Sequence, residues 1–144
     1  MQSLDHQVLS QLDHWLALGA RPWLCTIVST IGSSPRPIGS LLAFNDGQTV
    51  GTLSGGCVEE DLLEKIAQGA IASDRPQRME YGVSAEENER LGLPCGGRLG
   101  IVVQQLSSDD RHWIEKAIAG ISERRLVSRT LDLDAGHTTM QTID

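Results

Sequence analysis

The sequence is short of aromatic residues, with three Trp, one Tyr and one Phe in 144 positions. A core built from it must be filled by Leu, Ile, Val and Ala. It is also short of positive charge: 12 Lys and Arg stand against 19 Asp and Glu, for a net charge of −7. That balance opposes non-specific binding to nucleic-acid phosphates or anionic lipid, while leaving room for a small anion held by local donors. No uninterrupted apolar stretch approaches membrane-spanning length. Met1-Gln2-Ser3-Leu4-Asp5-His6 lacks a basic patch followed by an apolar run, so no signal peptide is expected. Cysteine is scarce too. The three present form no Cys-x-x-Cys pair, which argues against a disulfide framework and favours a reducing cytoplasm.

What is present reads as one folded domain over 1–144. Leu4, Val8, Leu12, Trp15 and Leu16 recur at helical spacing and predict an amphipathic helix that stops near Gly19. Trp23 to Ile31 is β-branched and nearly continuously apolar, as in a buried strand. Two prolines and two glycines make 32–39 a loop. Ser40–Phe44 and Gln48–Leu53 read as strands around an Asn45-Asp46-Gly47 hairpin turn. Val58, Leu62, Leu63, Ile66 and Ala67 mark a second helix, and Gln77–Tyr81 a short strand. Ser84-Ala85-Glu86-Glu87 has capping-box spacing and predicts a short helix ending before Gly92. Arg98–Leu106 is a strand, and Trp113, Ile114, Ala117, Ile118 and Ile121 a further helix with Ser107–Asp110 available to cap it. Arg125–Leu133 and Thr138–Ile143 form a final strand pair turning at Ala135-Gly136. The order predicts an α/β or α+β domain, a mixed sheet flanked by helices.

The chemistry-bearing candidates cluster in glycine turns. Ser54-Gly55-Gly56-Cys57 follows a strand and opens a helix. A thiol at Cys57 would meet unpaired helical N–H groups and the positive end of the helix dipole, both of which favour thiolate. Glu59, Glu60 and Asp61 oppose that, because nearby negative charge raises a thiol pKa. The plain alternative is a small apolar side chain tucked under a tight turn. Gly55 and Gly56 can let backbone N–H groups converge on an anion, or can simply make a strand-to-helix turn. Cys95-Gly96-Gly97 repeats the theme before a strand. If the two turns meet, they form a pocket with two sulfurs and N–H donors, suited to an anion, a soft metal or sulfur transfer. Arg36 sits between Pro35 and Pro37 on a stiffened loop, placed either to clamp phosphate or carboxylate or to make a surface ion pair, and Ser33 and Ser34 add hydroxyls. Cys25, mid-strand, reads as inert core. The four histidines are scattered, and none pairs with a cysteine at zinc-ligand spacing.

At these residues the sequence resembles the XdhC/CoxI family, the xanthine dehydrogenase accessory proteins. The resemblance rests on Gly32-Ser33-Ser34-Pro35-Arg36-Pro37-Ile38-Gly39, Gly51-Thr52-Leu53-Ser54-Gly55-Gly56-Cys57-Val58-Glu59, Tyr81-Gly82 and Gly92-Leu93-Pro94-Cys95-Gly96-Gly97. It implies a non-enzymatic maturation chaperone that transiently binds molybdenum cofactor (molybdopterin), supports its sulfuration and hands it to an apo molybdenum hydroxylase. A sulfur donor such as a cysteine desulfurase and self-association, as in a dimer, are further expectations. Such proteins usually carry a second, Rossmann-like domain after this one, and that domain is expected to be absent here. In that role Ser33, Ser34, Arg36, Ser54, Gly55, Gly56, Gly96 and Gly97 would hold the cofactor, and Cys57 and Cys95 would ligate molybdenum or relay sulfur. The competing readings are a cysteine-dependent sulfurtransferase or thiol oxidoreductase, and a purely structural accessory protein.

Overall fold

The computed structural model describes residues 3–31, 36–53, 57–82 and 98–143, with Cys57 described by its backbone only. Helix α1 (Leu4–Ala17) opens on Ser3, whose hydroxyl accepts the His6 N–H at 3.1 Å, and buries Val8, Leu9, Leu12, Trp15 and Leu16. Four of these, Val8, Leu12, Trp15 and Leu16, are positions the helical spacing picks out; Leu9 joins them, and Leu4 is only partly buried. The strands are β1 (Trp23–Ile31), β2 (Leu41–Asn45), β3 (Gln48–Gly51), β4 (Gln77–Tyr81) and β5 (Arg98–Gln105). Helix α2 (Cys57–Ala67) stands between β3 and β4. A 3-10 turn (Ser108–Asp110) leads into helix α3 (Arg111–Ser122), and strands β6 (Leu126–Leu131) and β7 (Thr138–Ile143) follow. The short helix expected to start at Ser84 lies outside the described residues.

The α+β class stands as read. In detail, every strand pairing is antiparallel, and the strands divide into a five-stranded sheet of order β3-β2-β1-β5-β4 and a separate β6–β7 ribbon. A parallel neighbour needs a long crossover, and the turns at 46–47 and 132–137 are too short for one. β1 takes the centre because β5, some seventy residues later, pairs along its whole length from Trp23↔Gln105 to Ile31↔Arg98, with one irregularity between Ile27 and Ser29.

Strand alternation gives the large sheet two apolar faces. One carries Leu24, Leu41 and Ala43, and packs on α1, α3 and Met140 of the ribbon. The other carries Cys25, Ile27, Leu42, Ile101 and Val103, and packs on Val58, Leu62 and Ile66 of α2. The sheet is therefore a middle layer with helices on both sides.

β3 ends at Gly51 where Leu53 was expected. Gly51 has φ +91°, a left-handed conformation that turns the chain away from the sheet. A β-carbon there would collide with the Leu41 carbonyl oxygen and lie 2.8 Å from a Val8 methyl. Among the described residues, no helix is long and apolar enough to cross a membrane.

Candidate functional site

Topology brings the described flanks of two motif loops to one end of the large sheet. β1 delivers the chain into 32–35 at Ile31. Ile31 is paired with Arg98, which follows directly on Cys95-Gly96-Gly97. Thr30 and Tyr81 both pair with Leu99, so Tyr81-Gly82, the entrance to 83–97, is at the same end. The loop bearing Arg36 folds back along β1. Gly39 donates its N–H to the Ile27 carbonyl at 2.8 Å, and Ser40 accepts the Ile27 N–H at 3.0 Å. Ser40 is buried and closes the turn by donating its hydroxyl to the Pro37 carbonyl at 2.7 Å. Arg36, partly buried, immediately precedes this bonded turn.

Helix α2 is tied back to the strand side of residues 54–56. Glu59, two residues into the helix, accepts the Thr52 hydroxyl and the Leu53 N–H on one oxygen, both at 2.6 Å. This joins Thr52 and Leu53, which precede residues 54–56, to the helix that follows them. Sequence reasoning weighed Glu59 as a first-turn acid at the positive end of the helix dipole and as a charge near a thiol, not as a hydrogen-bond acceptor. The signal that could have found the clamp is its short spacing from Thr52 and Leu53 across a glycine turn. Leu53 and Val58, on either side of that turn, are fully buried in the cluster that also holds Tyr81 and Leu99.

Two residues further along α2, Asp61 accepts the Tyr81 hydroxyl at 2.6 Å and pairs with Lys65 at 2.8 Å. The Lys65 ammonium also lies 5.2 Å from the centre of the Tyr81 ring. Tyr81 thus links the first turns of α2 to the sheet end where Arg98 and Ile31 meet. Of the acidic residues that sequence alone sets against a thiolate at Cys57, Asp61 has a cation beside it, Glu59 is held in hydrogen bonds, and Glu60 is exposed.

Cys25 behaves as expected of inert core. It is completely buried, and burial, reinforced by the Glu59 charge, pushes its thiol up from 9.0 to about 12. Ser33, Ser34, Ser54, Gly55, Gly56, Cys95, Gly96 and Gly97 lie outside the described residues, as does the side chain of Cys57. Among the described residues, no group of three His, Cys, Asp or Glu is arranged to hold a metal ion.

Known proteins resemble the chain across these features. The model of the XdhC and CoxI family matches residues 15–82. A probable xanthine dehydrogenase component of Bacillus subtilis is 27% identical over 118 residues, covering 79% of this chain and 35% of that protein. The "Molybdenum cofactor insertion chaperone PaoD" of Escherichia coli is 32% identical over 86 residues, covering 59% of this chain and 26% of that protein. The chain therefore spans about a third or less of the curated relatives it matches. A solved structure from Bacillus halodurans, described as a xanthine dehydrogenase, superposes with a TM-score of 0.65 at 24% identity, over 94% of this chain and 42% of that one, and so shares its fold. Through residues 15–82, a stretch that takes in Pro35-Arg36-Pro37, Ser54-Gly55-Gly56-Cys57 and Tyr81-Gly82, this chain is similar to the XdhC and CoxI family.

Proposed function

We propose that this chain binds molybdenum cofactor as cargo and takes part in delivering it to enzymes of the xanthine dehydrogenase type. The observation that carries the reading is the meeting of Ile31, Arg98 and Tyr81 at one sheet end, because the motif segments at 32–39 and 83–97 enter or leave there. The Glu59 clamp and the Asp61–Tyr81 bond support a place for the Ser54-Gly55-Gly56-Cys57 turn beside them. The names of the relatives from Bacillus subtilis and Escherichia coli support the class of cargo and recipient.

In this reading the cargo is an anionic pterin carrying a phosphate and a dithiolene-bound metal. Arg36, Ser33 and Ser34 hold the phosphate or the pterin oxygens, and the N–H groups of Gly55, Gly56, Gly96 and Gly97 add donors without steric cost. Cys57 and Cys95 supply the soft sulfur that suits molybdenum, as ligands or as a relay during sulfuration by a sulfur donor. Cys25, sealed and raised to about 12, takes no part. An apo molybdenum hydroxylase receives the cargo, and a second copy of the chain is a further candidate partner.

The test replaces Cys57 and Cys95 by Ser one at a time and measures retained molybdenum and pterin after incubation with the cofactor. Loss in either variant, with Cys25→Ser unaffected, is the expected result. Full retention in both variants would remove sulfur ligation, and no binding by the parent chain would remove the cargo reading itself.

A further inference from the structure

Arg129 does not sit where an arginine of a surface ribbon usually sits. It is on β6, and its Nη2 donates to the Thr26 hydroxyl of β1 at 2.7 Å, across the gap between the ribbon and the large sheet. Its guanidinium carbon lies 5.2 Å from the centre of the Trp113 ring on α3. Among the described residues no carboxylate forms an ion pair with it, although the chain carries an excess of acid. The field of Asp5 reaches it from the first turn of α1, but burial dominates and draws its pKa down to about 10, so it remains a cation at neutral pH.

A guanidinium partly withdrawn from water, with no carboxylate beside it among the described residues, favours an anion. Thr26 and Trp113 supply a hydroxyl oxygen and a ring face, neither of them a charge. Arg129 lines two cavities. On one side is a cavity of about 380 Å³ walled by Thr26, Ile38, Trp113, Val127 and Met140 among others. On the other is a smaller cavity of about 230 Å³, where Arg78 adds a second positive charge beside Val28, Val102 and Leu131. One cation set in an otherwise apolar wall selects a particular guest. A strongly hydrated inorganic ion loses more water than a single guanidinium replaces, whereas an organic anion gains from both parts of the cavity.

We infer that the cavity between the large sheet and the β6–β7 ribbon is a binding site for an organic carboxylate, with the carboxylate on Arg129 and the apolar body against Ile38, Val127 and Met140. The guanidinium fork matches a carboxylate edge to edge, and the Thr26 hydroxyl, already accepting from Arg129, has its own proton to donate. Arg129 and Trp113 lie outside residues 15–82, whereas Thr26 and Ile38 lie inside them, so the test reads the Arg129 signal with no cofactor present and its failure is distinguishable from failure of the cargo reading.

The test uses the full chain with arginine side chains labelled in nitrogen-15, the Arg129 Nε–H signal being assigned through bonds. Benzoate, its neutral isostere benzamide and inorganic phosphate are titrated separately to about 10 mM, well above a millimolar dissociation constant. Benzoate is expected to shift the Arg129 signal saturably, while benzamide and phosphate leave it in place. Arg129→Lys, followed by saturation transfer from the protein to the benzoate protons, is expected to weaken benzoate at least about tenfold. No benzoate shift would overturn the inference, as would an equal response to benzamide, which marks an apolar hole, or to phosphate, which marks an indiscriminate cation. The wild-type titrations decide the matter even if the variant does not fold.

Discussion

Replacing Glu59 by Ala removes the acceptor that spans the Ser54-Gly55-Gly56 turn. The Leu53 N–H belongs to a completely buried residue, and its bond to Glu59 is 2.6 Å long. Leaving a buried donor without an acceptor costs about 1–3 kcal/mol. The Thr52 hydroxyl, partly buried, also loses its 2.6 Å acceptor but can turn toward water, so its share is smaller. A carboxylate in the first turn of α2 adds a favourable dipole interaction of about 0.3–1 kcal/mol. Together these place the loss for Glu59→Ala at about 2–4 kcal/mol. Glu59→Gln keeps an oxygen in the same place but loses its charge. Charge-assisted bonds are about twice as strong as neutral ones, so it should lose roughly half as much. Urea unfolding reads both, as a fall in midpoint at unchanged slope. An alanine variant within about 0.5 kcal/mol of the parent, the scatter of an ordinary surface substitution, would refute the clamp. A glutamine variant as unstable as the alanine one would refute the part given to its geometry.

Two further outcomes follow from the core. Cys25 has a folded pKa of about 12 against 9.0 for a free thiol, so its contribution is complete below pH 9 and is lost as pH rises toward 12. Over that window the stability should fall by as much as about 1.4 kcal/mol per pH unit, and Cys25→Ala should lack that part of the slope in urea unfolding at a series of alkaline pH values. Gly51→Ala places a β-carbon against the Leu41 carbonyl at a positive φ and should cost about 2–4 kcal/mol, read as a lower melting temperature in calorimetry; an unchanged melting temperature would remove the strain argument.

Local pattern was enough for most of the elements. The spacing of Val8, Leu12 and Leu16 predicts α1, the apolar run at 23–31 predicts β1, and Asn45-Asp46-Gly47 predicts the hairpin, because each reports a periodicity or a turn preference within a few residues. The motif residues Arg36, Cys57 and Cys95 were legible as candidates for the same reason: their neighbours are the prolines and glycines that restrict or free the backbone. The end of β3 was not, because Ser54-Gly55-Gly56 looked like the stop while the close approach of Leu41 and Val8 demands the turn earlier, at Gly51.

Composition and short-range pattern determined that this chain folds as helices and strands around an aliphatic core, and which glycine-rich motifs contain cysteine. Tertiary structure alone decided that β5 lies against β1, which brings Arg98 beside Ile31. It alone turned Glu59 from a charge near a thiol into a clamp, and drew Arg129 from an ordinary strand position onto Trp113. The division has a physical cause. Hydrophobic periodicity is written in neighbouring residues, whereas strand pairing, burial of a charge and the reach of a side chain depend on partners tens of residues away, whose arrival no local pattern encodes.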